Sequence, residues 1–143
     1  MGTFTQILLG TAVLIGCSLV HVVVLVWAAG MLVRVGRNLA HFRASHRSGV
    51  LIGAVFGTVV FSHTLQVWIW AGVFILMGAL HDVGRSIYFS LVTYTTLGYG
   101  DVTLADDFQV FGAMAAVTGL LTFGLSTAFL AGLLSRLLPH ETS

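Results

Sequence analysis

Three long apolar runs dominate this chain and restrict it to a helical membrane architecture. They cover residues 7–33, 50–80 and 108–138. A helix of about 20 apolar residues crosses the hydrocarbon core of a bilayer. The chain is 57% hydrophobic and only 8% charged, whereas about a quarter of the residues in a soluble domain are charged. The sequence therefore predicts an all-α integral membrane protein with three transmembrane helices and excludes a soluble domain.

The stretch between the second and third runs, residues 81–105, is too short and too polar to cross the bilayer. We predict a short helix at 86–95 that enters the membrane and returns through Thr95–Asp101, which reads TTLGYGD. Irregular backbone at membrane depth persists only where protein buries it or where it lines a water-filled cavity. Gly98 and Gly100 can adopt backbone angles closed to other residues. Their carbonyls can therefore point toward one axis, where the oxygens of four such segments would replace the water molecules that a cation loses.

The charged residues predict the orientation of the chain. All six basic residues are arginines, and residues 34–48 hold four of them and no acid. The positive-inside rule places this interval in the cytoplasm, so we expect the N-terminus outside, the C-terminus in the cytoplasm and the re-entrant stretch entering from outside. Four acids then lie on the outer side, where negative charge attracts cations: Asp82, Asp101, Asp106 and Asp107. We expect a multi-pass protein of the plasma membrane, which is the cell inner membrane if the chain is bacterial.

Residues 86–101, which read SIYFSLVTYTTLGYGD, resemble the pore loop of tetrameric potassium channels. The resemblance extends more loosely to the flanking helices, so it implies a pore domain at 48–143 after an additional helix and basic loop at 1–47. It implies a homotetramer that conducts K⁺ passively, with K⁺ and the lipid bilayer as partners, no nucleic acid, no cofactor and no enzymatic activity. A nonselective cation channel and a regulatory or structural membrane subunit that needs a partner stay open as alternatives.

The resemblance also implies roles for the residues of Thr95–Asp101, which we call the filter segment. Backbone oxygens that bind K⁺ would come from Thr96, Leu97, Gly98 and Tyr99, with Gly100 completing the segment. The Thr96 hydroxyl would add an innermost ring of ligands. Candidate supports of the filter segment are Tyr88, Thr93, Thr95 and Asp101.

Two positions depart from the family pattern. Many members carry two aromatic residues that donate hydrogen bonds to the filter tyrosine, but the second of these is Phe89 here, which cannot donate. Tyr88 or Thr93 would have to serve instead. Some bacterial members place a carboxylic acid behind the filter, where this chain has Val92. The support of the filter segment therefore has to differ from theirs.

The third apolar run carries candidate cavity and gate residues. Thr118, Thr122 and Ser126 recur at four-residue spacing and share one helix face. The shared face can line a water-filled cavity, or each hydroxyl can bond the backbone of its own helix. Gly119 and Gly124 can allow the helix to bend for a gate, or can allow close packing of neighbouring helices.

Two histidines lie inside the apolar runs. His21 is near the centre of the first run and His63 near the middle of the second, so their similar depths predict that they can meet across a helix interface. Ionisable residues within a membrane are candidates for function, which makes this a candidate pH-sensitive pair. The alternative is two neutral imidazoles bonded to Ser18, Ser62 or Gln66. The first run carries no repeating arginines within the membrane, so it is not a voltage sensor.

Overall fold

The computed structural model describes residues 1–38 and 44–137, and within these ranges every regular element is helical. The elements are α1 (Thr3–Asn38), α2 (Ala44–Leu76), α3 (Val83–Tyr94), a single 3₁₀ turn (Asp106–Phe108) and α4 (Gln109–Leu137). Arg43 of the predicted basic loop and residue 138 at the end of the third run lie outside the described residues. The prediction of an all-α chain with a short fourth helix between the second and third long helices is confirmed.

Three helices are long and apolar enough to cross a membrane: Thr3–Val35, Ser48–Leu76 and Asp106–Ser135. Their most apolar windows have mean hydropathies of 2.4, 1.7 and 1.8. These spans coincide with the three predicted apolar runs. The chain is therefore a multi-pass membrane protein.

The helix formed by the second apolar run ends four residues earlier than we predicted. α2 stops at Leu76 rather than at residue 80. Gly78 has a φ of +70°, and its N–H donates to Ile75 O while Ala79 N–H donates to Phe74 O, both at 2.9 Å. This is the Schellman arrangement that ends a helix at a left-handed glycine. The apolar residues beyond it belong to the connection to α3.

The additional helix α1 packs against both α2 and α4. Gln6 is buried on α1, and its Oε1 accepts from Val110 N–H at 3.1 Å and from Phe111 N–H at 3.2 Å. These amides belong to the first turn of α4 and have no partner within the helix. Because α1 supplies that partner, it is joined to α4 by hydrogen bonds as well as by apolar contact.

The core has two parts. The larger one surrounds Trp70, Phe74 and Phe111, whose rings pack within 6 Å of one another, and it includes Tyr94 from the end of α3. The smaller one lies between α1 and α2 around Leu25 and Val55. The larger cluster fixes α3 between the spanning helices and so determines where the filter segment begins.

Candidate functional site

Helix α3 is capped at its start and fastened to α2 along its length. Asp82 Oδ1 accepts from the Arg85 N–H at 2.7 Å, and this N-cap places the start at Val83 rather than at the predicted residue 86. The buried Ser90 hydroxyl donates to Val67 O at 2.7 Å. Twelve residues give α3 a length of about 18 Å, which is too short to cross the bilayer. The chain therefore turns back after Tyr94.

In the filter segment the sign of φ alternates from residue to residue. It is positive at Thr96 (+60°), Gly98 (+58°) and Gly100 (+77°), and negative at Leu97 and Tyr99. Backbone that alternates in this way can turn successive N–H groups to one side of the chain. The N–H groups of Leu97 and Gly98 both donate to Val92 O, at 2.9 and 3.3 Å. The N–H side of the segment is therefore directed back at α3.

The carbonyls of the filter segment are free. Within residues 1–38 and 44–137, no carbonyl of residues 96–100 accepts a hydrogen bond, and residues 95–100 are all exposed in the single chain. A positive φ costs a residue with a Cβ roughly 1–2 kcal/mol, and Thr96 carries that strain. Backbone strain of this kind clusters at functional sites. The segment offers a row of unbonded oxygens of the type that coordinates a dehydrated cation.

The Asp101 end of the filter segment is tied to α3 by one side-chain hydrogen bond. The Tyr88 hydroxyl donates to Asp101 Oδ2 at 2.5 Å, and this bond raises the pKa of Tyr88 above its ordinary value. Asp101 Oδ1 also accepts from Val102 N–H at 3.1 Å. Both residues line a crevice of about 130 Å³ behind the segment, together with Val92 and Thr93.

The remaining candidate supports have different partners. Thr95 Oγ1 donates to Leu91 O at 2.7 Å, so its hydroxyl bonds its own helix. Phe89 packs edge-on against Phe74 with ring centroids 5.2 Å apart and acts as a core residue. Tyr99 leaves most of its side chain exposed, and in the described ranges neither Tyr88 nor Thr93 bonds it. The Tyr88–Asp101 bond takes the place expected for a bond to the filter tyrosine.

The three hydroxyls of α4 face the interior of the chain. Thr118, Thr122 and Ser126 are buried. Thr118 Oγ1 donates to Met114 O at 2.9 Å and Thr122 Oγ1 to Thr118 O at 2.8 Å. Thr118 and Thr122 thus show the backbone bonding that the sequence left open, on a face covered by the other helices, whereas Ser126 Oγ contacts His21 and His63 instead.

The two glycines of α4 differ from each other. A Cβ added to Gly119 would lie 1.9 Å from Tyr94 O, whereas one added to Gly124 would meet nothing within 4 Å. Gly119 therefore serves close packing, because it lets the end of α3 rest against the backbone of α4. Gly124 lies on the exposed face of α4 and stays a candidate for a gate.

His21 and His63 are brought together, with ring centroids 5.1 Å apart. His21 Nδ1 lies 2.8 Å from Ser62 Oγ and 3.0 Å from Gln66 Nε2, two of the partners expected for neutral imidazoles. Ser18, the third, makes no side-chain hydrogen bond in the part of the chain that the structure describes. Whether the pair titrates stays a prediction.

Sequence reasoning missed the residue at the centre of this region. Tyr94 is buried at the end of α3, and its hydroxyl lies 2.8 Å from His63 Nδ1 and 2.7 Å from Thr122 Oγ1. The position of this tyrosine immediately before the filter segment could have indicated a role, but its hydrogen-bond partners come from helices distant in sequence. Ser126, considered for a cavity or for bonding its own helix, contacts both histidines.

Groups that could hold a resident metal ion are absent from the described residues, where no three His, Cys, Asp or Glu side chains cluster. A family model described as an ion channel matches residues 50–136, which is more than half of the 143-residue chain. No match to the chain was found among curated proteins or among solved structures. The matched residues contain most of α2, all of α3 and the filter segment, and nearly all of α4. The chain belongs to the ion channel family of the pore-loop kind.

Proposed function

We propose that this ion channel is selective for potassium and that four copies of the chain surround one pore. Each copy would contribute the backbone oxygens of Thr96, Leu97, Gly98 and Tyr99, and the Thr96 hydroxyl would form the innermost ring. Gly100 would turn the chain out of the pore. K⁺ is the transported ion, and it passes down its electrochemical gradient without covalent chemistry. The observation that carries the proposal is the row of free carbonyls with alternating φ in a TLGYGD sequence.

A single filter segment cannot bind the ion alone, because one row of oxygens cannot surround it. The proposed site therefore requires a symmetric assembly. Tyr99 is 68% exposed and Leu97 is 55% exposed in the isolated chain. Exposed backbone polar groups at membrane depth need protein or water around them. A closed ring of four copies supplies both, and closed cyclic symmetry is the usual solution for identical subunits. The exposed apolar face of α4, with Val117 and Leu120, is available to the pore and to neighbouring copies.

The charges support an orientation in which the filter segment opens to the outside. Four exposed aspartates, at positions 82, 101, 106 and 107, lie at one end of the helices, while Arg34 and Arg37 lie near the other end of α1. Negative charge at a pore mouth raises the local concentration of cations. In a plasma membrane, with the arginines in the cytoplasm, the aspartates would form the outer mouth.

The test is cation flux into liposomes that contain the purified protein. The proposal predicts K⁺ flux that far exceeds Na⁺ flux and that barium blocks, from particles with the mass of four chains. Gly98→Ala should abolish the flux, because Gly98 needs a φ of +58°. Gly53→Ala is the matched control, since its added Cβ meets nothing within 4 Å. Equal K⁺ and Na⁺ fluxes would contradict selectivity and leave a nonselective cation channel, and a monomeric particle would contradict the assembly.

A further inference from the structure

A row of polar side chains, all buried except the half-buried His63, crosses the middle of the helix bundle. It draws on all four helices and consists of Gln66, His21, Ser126, His63, Tyr94 and Thr122. His21 and Gln66 are completely buried, and Tyr94 and Thr122 are 1% exposed. Burying such groups among apolar side chains is costly unless each finds a partner. The row therefore needs a continuous set of hydrogen bonds.

The first half of the row connects α1 to α4 and α2. Gln66 Nε2 lies 3.0 Å from His21 Nδ1. His21 Nε2 lies 2.9 Å from Ser126 Oγ, and the same oxygen lies 3.0 Å from His63 Nε2. One serine hydroxyl thus bridges the two imidazoles.

The second half connects α2 to the end of α3. His63 Nδ1 lies 2.8 Å from the Tyr94 hydroxyl, which lies 2.7 Å from Thr122 Oγ1. Thr122 Oγ1 donates to the carbonyl of Thr118 at 2.8 Å. The row therefore ends on the backbone of α4.

The direction of donation is the same at every step. Gln66 Nε2 also approaches Ser62 O at 3.4 Å, and only the amide nitrogen can donate to a carbonyl. His21 Nδ1 must then accept, so a neutral His21 carries its proton on Nε2 and donates to the serine. The serine proton remains for His63 Nε2. His63 consequently carries its own proton on Nδ1.

The remaining donors follow from that arrangement. His63 Nδ1–H donates to the Tyr94 oxygen, so the Tyr94 hydroxyl proton is free for Thr122, whose own proton goes to the backbone. Each link in such a series polarises the next. The arrangement needs two neutral imidazoles of opposite tautomer, which makes it open to direct observation.

One member of the row, Tyr94, lies directly before the filter segment. Tyr94 is the last residue of α3 and immediately precedes Thr95. Its carbonyl rests against Gly119, and its hydroxyl is fixed by His63 and Thr122. The ring and the backbone of Tyr94 are thus both held against α4.

We propose that Tyr94 is a positioning residue for the inner end of the filter segment and that the polar row, through its contacts with Tyr94, makes α1 a brace for that end. The proposal rests on the proposed function, since it assigns the row a role in potassium selectivity. It gives the additional helix a task that anchoring in the membrane would not need. The row also supports the filter segment in a chain that has Val92 where some family members have a supporting carboxylic acid.

The test cuts the row at Ser126, one link away from Tyr94. In bilayer channels that keep His21 and His63 and have the other four histidines replaced, ¹⁵N NMR at neutral pH should find the proton of His21 on Nε2 and that of His63 on Nδ1. Ser126→Ala should abolish the fixed tautomer of His63 and lower the K⁺/Na⁺ permeability ratio about three- to tenfold, the range that corresponds to losing the one hydrogen bond from Ser126 to His63 that reaches the Tyr94 side of the row. Ser126→Thr keeps the hydroxyl and should keep the ratio.

Thr64→Val is the matched control, because the Thr64 hydroxyl is exposed and bonds only Val60 O in its own helix. It should change neither the tautomers nor the ratio. Charged imidazoles, the opposite tautomers, or a conducting Ser126→Ala channel with the wild-type ratio would overturn the brace. If Ser126→Ala does not assemble, the K⁺/Na⁺ permeability ratio of Tyr94→Phe channels tests the brace instead. A wild type that does not select K⁺ refutes the proposed function and the role in selectivity together, whereas a selective wild type with unchanged variants refutes the brace alone.

Discussion

Replacing Gly119 by alanine should force the end of α3 away from α4. The added Cβ would lie 1.9 Å from Tyr94 O and 2.9 Å from Tyr94 C, whereas ordinary contact begins at 3.4 Å. The two backbones would have to separate by about 1.5 Å, and neither is a flexible side chain that can turn aside. Overpacking of this kind costs typically about 1–3 kcal/mol.

Gly124→Ala is the control for that substitution. Both glycines lie inside α4, so alanine brings each the same gain in helix propensity, about 1 kcal/mol. Only Gly119 has a backbone atom in the way. We therefore expect Gly124→Ala to be neutral or stabilising, and Gly119→Ala to be less stable than Gly124→Ala by about 1–3 kcal/mol, because the two variants share the propensity gain.

The assay is thermal unfolding of the purified protein in one detergent, followed by circular dichroism for wild type and both variants. A Gly119→Ala protein as stable as the Gly124→Ala protein would refute the close approach of α3 to α4. The same proteins in bilayers give a second readout, since a displaced Tyr94 should also lower the K⁺/Na⁺ permeability ratio. A Cβ added at Gly124 meets nothing within 4 Å among the described residues, so its substitution should leave that ratio unchanged.

Three further predictions concern the middle of α3, the contact between α1 and α4, and the start of α3. Tyr88→Phe should lower thermal stability at every pH below the ordinary tyrosine pKa of about 10. Because the bond to Asp101 raises the pKa of Tyr88, the stability advantage of wild type should be lost as the pH rises from there through that higher value. A difference that persists at still higher pH would contradict the bond. Gln6→Leu leaves two amides at the start of α4 without partners and should cost about 1–3 kcal/mol by thermal unfolding, whereas the exposed Gln109→Leu should cost much less. Asp82→Ala removes the N-cap of α3 and should cost about 1 kcal/mol in the same assay; an unchanged midpoint would exclude the cap.

The sequence was sufficient for the membrane spans because length and apolarity alone determine them. It also located the re-entrant helix, since polar residues and glycines interrupt the apolar pattern there. It placed the end of the second helix too late, because Ala79 and Leu80 continue the apolar run beyond Gly78. Composition alone does not reveal that Gly78 adopts a left-handed conformation and closes the helix.

The contacts of the candidate site were less accessible from the sequence. The four-residue spacing showed that Thr118, Thr122 and Ser126 share a face, but not which way that face is turned, because helix rotation depends on packing against the other helices. Similar depth correctly suggested that His21 and His63 can meet. The role of Tyr94 could not be inferred, since its partners come from α2 and α4. The ion-binding roles of the filter residues stay predictions.

The central claim is that the filter segment selects potassium, and the reversal potential of single channels tests it most directly. With K⁺ on one side of a bilayer and Na⁺ on the other, the account predicts a large reversal potential of the sign set by K⁺ permeation alone. Gly53→Ala channels should give the same value. A reversal potential near zero, from channels that open and conduct, would contradict the claim.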